Sequence, residues 1–130
     1  MAQFGQTGPM PFADDDVELL ARTPEIRIET RSPDGPLHSA IIWVVVDGDD
    51  VFVRSWLGAR ARWYREAVAN PAVTIVAGDR RLPAVSAHAT DPDSVRRCSD
   101  GFLSKYLKSK SAQSMVAEDI LDTTLRLEPS

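Results

Sequence analysis

The sequence predicts a mainly β protein: a small closed or nearly closed barrel of about six antiparallel strands, with two or three α-helices covering its corners. Three observations lead there. Several short segments alternate apolar and polar residues or run apolar throughout, as strands do. Turn residues such as Asp47-Gly48-Asp49 and Gly78-Asp79 join neighbouring segments directly, so most pairings are hairpins. Helical patterns fall only at the start, between the third and fourth strands, and between the fifth and sixth, an order that suits a barrel with covered ends.

Residues 1–12 are rich in Gly, Pro and Gln and are expected to form a loose arm ahead of one domain spanning 13–130. Asp14-Asp15-Asp16 provides an N-cap and an acidic first turn for a helix over Asp14–Arg22, where negative charge complements the helix dipole. Thr23-Pro24 ends it. In EIRIETR, residues 25–31, Ile26, Ile28 and Thr30 share one face, the mark of a half-buried strand. Ser32-Pro33-Asp34-Gly35-Pro36 turns the chain into a strand beginning near Leu37. Ile41–Val46 and Val51–Trp56 then form a hairpin about Asp47-Gly48, giving a three-stranded meander. A helix over Ala59–Asn70 stops at Asn70-Pro71, because the residue before proline is pushed out of the helical region. AVTIVA, residues 72–77, reads as a strand buried on both sides, and Leu82–Thr90 as another, with Pro83 marking an edge or a bulge. Asp91-Pro92-Asp93 opens a helix to about Lys108, with Val95, Phe102, Leu103, Tyr106 and Leu107 inward and Gly101 a weak point. A short helical turn over Met115–Ile120 and a strand over Thr123–Leu127 complete the chain.

Composition excludes several functions. A length of 130 residues, 43% hydrophobic and 26% charged, fits one globular domain. No run reaches the roughly 20 apolar residues of a membrane span, and the N-terminal residues lack the pattern of a secretory signal, so the expectation is a cytoplasmic protein. The formal charge of −4 argues against nucleic acid as a partner. One cysteine and two histidines supply too few ligands for a zinc site, and no metal is expected.

Against that acidic total, the joint after Val53 is basic. Arg54, Ser55, Arg60 and Arg62 gather around the start of a helix, where guanidiniums and free backbone N–H groups suit an anion. The competing reading is a solvated basic face, which is also how Arg65 is read. The hairpin IWVVVDGDDVFVRS, the glycine-containing turn, the arginine-rich helix start, the Asn-Pro stop and the strand AVTIVAG together resemble the split-barrel flavin-binding superfamily of pyridoxamine phosphate oxidases. Within it, the nearest resemblance is to the deazaflavin (F420)-dependent nitroreductase-like branch. The likeness covers residues 38–78 well and the rest by order of elements.

The resemblance implies an FMN-binding split barrel acting as a homodimer, with FMN or F420 at the subunit interface. It implies that Arg54, Ser55, Arg60 and Arg62 hold the cofactor phosphate and that Ile42, Trp43 and Val44 border the ring. Gly58-Ala59-Arg60-Ala61-Arg62 stands where the family often carries Gly-Lys or Ser-Arg-Lys, which leaves the choice of cofactor open. The implied activity is an oxidoreductase that passes hydride to a small organic acceptor of the nitroaromatic or quinone type. The alternative is a split barrel without redox activity that serves as a ligand-binding or dimerisation module.

No catalytic side chain can be named. His38 and His88 are 50 residues apart with no partner at a recognisable spacing. Cys98 has Arg96 and Arg97 nearby but reads first as a buried thiol. Tyr106 is a candidate proton donor, and Lys105, Lys108 and Lys110 read as a solvated face. Trp43, Trp56 and Trp63 read as core or interface, with Trp43 and Trp56 as alternative walls for a flat ligand. Such a shortage of catalytic groups suits a cofactor enzyme, in which the cofactor carries the chemistry.

Overall fold

The computed structural model describes residues 11–130. Nearly all of the expected arm lies outside the described residues. Its last residue, Phe12, is buried against the core.

The helix α1 (Asp14–Arg22) has the expected bounds, but Ala13 takes the N-cap position without a side-chain hydrogen bond. All three aspartates therefore sit in the first turn, where they complement the dipole, and Asp16 also pairs with Arg80 Nη1 at 2.6 Å. Then come β1 (Ile26–Arg31), β2 (Leu37–Ile42), β3 (Val45–Asp47) and β4 (Asp50–Val53). A 3-10 turn at Gly58–Arg60 leads into α2 (Arg62–Ala69), β5 (Ala72–Ala77), β6 (Arg80–His88) and α3 (Pro92–Lys105). A single helical turn, α4 (Ala112–Met115), a 3-10 stretch over Glu118–Thr123 and β7 (Leu125–Pro129) follow.

The seven strands form one antiparallel sheet in the order β2-β1-β5-β6-β7-β4-β3. Six were expected; the seventh arises because the long strand predicted from Leu37 to Val46 is broken at Trp43-Val44. Its first half pairs with β1, from Ile26↔Ile42 to Arg31↔Leu37, and its second with β4. The halves lie at opposite edges of the sheet, yet only two residues separate them. An extended chain covers at most about 3.6 Å per residue, so the sheet must curl until its edges nearly meet. The break is therefore the seam of the barrel, and the expected three-stranded meander is two separate hairpins.

Burial follows from this curl. Ile26, Ile28 and Thr30 are buried on β1 as the alternation predicted. One apolar cluster, including Leu20, Ile28, Val44, Val51, Val53, Ile75 and Leu127, fills the inside under α2. A second, including Val45, Phe52, Cys98, Phe102, Met115 and Ile120, lies on the outer face beneath α3. Val51 to Ser55 are consequently buried without a break, although that stretch read as alternating; α3 covers the face that would otherwise meet water. β5 shows the reverse. It was expected to be buried on both sides, but only Val73, Ile75 and Ala77 are buried.

Pro83 belongs to an interior strand rather than an edge. It pairs with Thr74 on one side, and on the other its carbonyl accepts from the Ser130 N–H at 3.2 Å. Its missing N–H faces the point where β7 runs out, so the ladder loses nothing. In α3, Asp91 caps the N-terminus by accepting from the Ser94 N–H at 3.0 Å. The helix stops at Lys105, which leaves Leu107 79% exposed instead of on the inner stripe. Gly101 is the contact point of α3 with the sheet: a Cβ there would stand 3.0 Å from Val45 Cβ. Among the described residues, no helix is long and apolar enough to cross a membrane.

Candidate functional site

Beside the seam, the end of β2, the exit from β4, the start of α2 and the single turn α4 enclose a cavity of about 360 Å³. Trp43, Trp56 and Trp63 all line it, together with Ile41, Ile42, Leu57 and Met115. They converge because the chain leaves the barrel twice at this end, once at Trp43 and once after Val53, and α2 then returns Trp63 to the same side. The mouth is apolar and open to water, with Ile41 63%, Trp56 62% and Leu57 47% exposed. Glu25 and Ser111 are the uncharged-or-acidic polar groups on the wall, and Arg54 is its cation. Neither histidine lines the cavity.

Of the expected ring-binding residues, Ile42 and Trp43 line the cavity, whereas Val44 is buried in the barrel core. Trp43 is held in place from behind. Its ring stacks on Tyr106 with centroids 3.8 Å apart and planes within 5°. The Tyr106 hydroxyl donates to the Pro24 carbonyl at 2.6 Å and receives the Val44 N–H at 3.3 Å. Burial raises the Tyr106 phenol to about 12, so it stays protonated as a donor.

The expected anion-binding residues do not form one cluster. Arg54 is only 1% exposed. Its Nε donates to Thr124 Oγ1 at 2.9 Å, Nη1 to Ser99 Oγ and the Met115 carbonyl at 2.9 Å, and Nη2 to the Val95 carbonyl at 3.1 Å. Four of the five guanidinium donors are thus engaged, and burial lowers its pKa from the ordinary value. The Ser55 hydroxyl donates to the Gly58 carbonyl at 2.7 Å and fixes the 3-10 turn. Arg60 and Arg62 stand exposed at the α2 start, outside the cavity wall. The aromatic walls therefore suit a flat ring, while a phosphate would have to meet Arg60 and Arg62 at the surface.

The other titratable groups lie elsewhere. His38 Nδ1 is 3.1 Å from a Glu66 oxygen, which together with a hydrogen bond from Thr30 helps hold that carboxyl below its ordinary range despite opposing desolvation. His88 meets the Tyr64 hydroxyl at 3.1 Å. Cys98 is buried and its thiol is pushed up to about 12 by desolvation, which disfavours the thiolate that nucleophilic chemistry needs. Lys105 was expected on a solvated face. Instead its Nζ donates to the Val44 and Leu20 carbonyls at 2.7 and 2.9 Å, and burial lowers its pKa to about 8. Among the described residues no group of three His, Cys, Asp or Glu side chains could hold a metal ion.

Of the residues that line the cavity, the sequence reading named Ile42, Trp43 and Arg54 as site residues and Trp56 as an alternative wall, but not Leu57, Ala61, Ser111 or Met115. The one available signal was the spacing of three tryptophans within residues 43–63; nothing local marks Ser111 or Met115, which lie 48 and 52 positions beyond Trp63.

The fold is similar to that of split-barrel, pyridoxamine phosphate oxidase-like proteins. A putative pyridoxamine 5′-phosphate oxidase from Listeria innocua superposes with a TM-score of 0.65 at 13% identity, covering 90% of this chain and 92% of that one. HutZ, the heme storage protein of Vibrio cholerae, gives 0.63 at 17% identity, with 93% and 92% covered. The F420-H2 dependent reductase FDR-A gives 0.62 at 16% identity, with 81% and 94% covered. A comparison with curated protein sequences finds no match. At such identities the likeness shows the fold, which is shared by oxidoreductases and by ligand-binding proteins. The sequence itself is more specific: residues 16–127 match the family model described as "uncharacterized protein conserved in bacteria" (DUF2255), and the chain belongs to that family.

Proposed function

We propose that this protein binds a flat conjugated cofactor, FMN or F420, in the tryptophan-lined cavity and passes hydride to a small nitroaromatic or quinone-type acceptor at a homodimer interface. The observation that carries this reading is the convergence of Trp43, Trp56 and Trp63 on one cavity of about 360 Å³, within the size range of small-molecule sites. Aromatic walls favour a planar ring by stacking and edge contacts. When bound, the cofactor supplies the hydride chemistry. Ile42 and Trp43 form its inner wall, Tyr106 fixes the plane of Trp43, and Arg60 and Arg62 offer charge to a phosphate at the mouth. A second copy of the chain seated on Ile41, Trp56 and Leu57 would exclude water from the ring.

One observation favours a second reading, a ring-binding module without turnover. Arg54 spends four donors inside the protein, and among the described residues Glu25 is the one carboxylate on the cavity wall, with no histidine, cysteine or lysine beside it. The structural relatives, a putative oxidase and a reductase beside a heme storage protein, are compatible with either.

Titrating the protein with FMN and with F420 while following tryptophan fluorescence tests the binding. One of the two is expected to quench saturably. Trp56→Glu should weaken that ligand at least tenfold, about 1.4 kcal/mol, and should halve the mass in solution. Absence of quenching by both cofactors would refute the proposal, and binding without consumption of a nitroaromatic acceptor would select the module.

A further inference from the structure

Arg54 poses a question that its hydrogen bonds leave open. A buried guanidinium is normally matched by a carboxylate, because its charge is costly to remove from water. Here all four partners, Thr124, Ser99 and the carbonyls of Val95 and Met115, are uncharged. They satisfy donors but do not neutralise the charge. Cys98 is the nearby acid, and it is protonated because its thiol is pushed up to about 12. Glu25 shares the cavity wall, but it is exposed and its charge is screened by water. The fifth guanidinium donor has no partner among the described residues, and Arg54 is itself part of the cavity wall. The fold thus places a positive charge that has no carboxylate partner, and that only the Phe102 ring 5.6 Å from its Cζ eases, against a hollow lined by aromatic rings.

We infer that Arg54 makes the cavity selective for flat aromatic ligands bearing negative charge on the ring itself, such as a ring with an acidic hydroxyl. The inference rests on the reading of the cavity as a ring site and deepens it by naming the ligand's charge. Arg54 acts on the ring, leaving any phosphate to the surface arginines. Of the two proposed cofactors in their oxidised forms, the deazaflavin, whose ring carries an acidic hydroxyl, fits this requirement better than FMN, whose ring is neutral.

The test uses 7-hydroxycoumarin, a flat phenol whose absorbance reports its ionisation and whose binding is followed by energy transfer from the tryptophans. With saturating wild-type protein, its pKa is expected to fall by about one unit from the free value, a tenfold preference for the phenolate, as an opposite charge at close range produces. Arg54→Lys should keep most of the shift. Arg54→Met should abolish it while still binding the neutral phenol. A bound pKa equal to or above the free value in the wild-type protein would overturn the inference while leaving the ring site intact, and this measurement stands even if Arg54→Met does not fold. Failure of the coumarin to bind in either form would refute the ring site, and the inference with it.

Discussion

Lys105 shows how far a side chain's role depends on neighbours distant in the sequence. Among Lys108 and Lys110 it has no distinguishing mark, yet its amine reaches the carbonyls of Leu20 and Val44, 85 and 61 residues away. Burial lowers its pKa to about 8, below the value near 10.5 of an unfolded lysine. Between these values the unfolded chain binds more protons, so the Lys105 contribution to stability rises with pH from about 8 to about 10.5. Cys98 and Tyr106 act oppositely: both are raised to about 12 in the folded state, so they lose stability above roughly pH 9 and 10 as the unfolded chain ionises. The difference in stability between wild type and Lys105→Met isolates the lysine. In urea titrations it should shift in favour of wild type by on the order of 1 kcal/mol between pH 8 and 10, after discounting for partial exposure. A constant difference would mean that the amine keeps its ordinary pKa. Arg54 follows the same logic. Its place at a strand end was legible in VFVRS, but its acceptors at Val95, Ser99, Met115 and Thr124 were not, since no local pattern links residues 41 to 70 positions away.

At the level of elements, the sequence was readable wherever local chemistry decides. The alternation of EIRIETR, the bounds of α1 and the glycine turns all persist, and Gly48 and Gly78 adopt the positive φ of 62° that their two-residue hairpins need. It was unreadable where one element decides what another must be. Gly101 reads as a defect in a helix, since glycine costs up to about 1 kcal/mol there relative to alanine. In the fold it is the spot where α3 lies against β3. A Cβ would stand 3.0 Å from Val45 Cβ and 3.3 and 3.4 Å from its two methyls. Val45 is 1% exposed and branched at the very atom that is crowded, so no rotamer change relieves the contact. Gly101→Ala should therefore destabilise the protein by about 1–2 kcal/mol despite its better helix propensity. The clash is specific to the pair, so Gly101→Ala should cost less, or even gain, in a Val45→Ala background. Denaturant midpoints of the four proteins form the cycle, and additive effects would mean that the contact is slack.

The whole molecule turns on its seam. A strand broken between two edges leaves Val44 with a backbone N–H and carbonyl that neither β1 nor β4 pairs, and Val44 is fully buried, where unsatisfied groups are costly. The end of α3 supplies both: Tyr106 accepts the N–H and Lys105 donates to the carbonyl. The same two side chains reach across to Pro24 and Leu20, so the barrel is closed by side chains rather than by a continuous ladder. Trp43, stacked on Tyr106, carries that closure into the cavity wall. Stability of the seam and shape of the site are then one property. Tyr106→Phe keeps the stacked ring but removes the hydroxyl, leaving the Val44 N–H and the Pro24 carbonyl unpaired at a cost of about 1–3 kcal/mol. If the hydroxyl closes the seam, amide exchange at Val44 should quicken far more than at Ile28, in the middle of β1 between two paired neighbours. Uniform acceleration at both sites would instead mean that Tyr106 stabilises the barrel only as part of the general core.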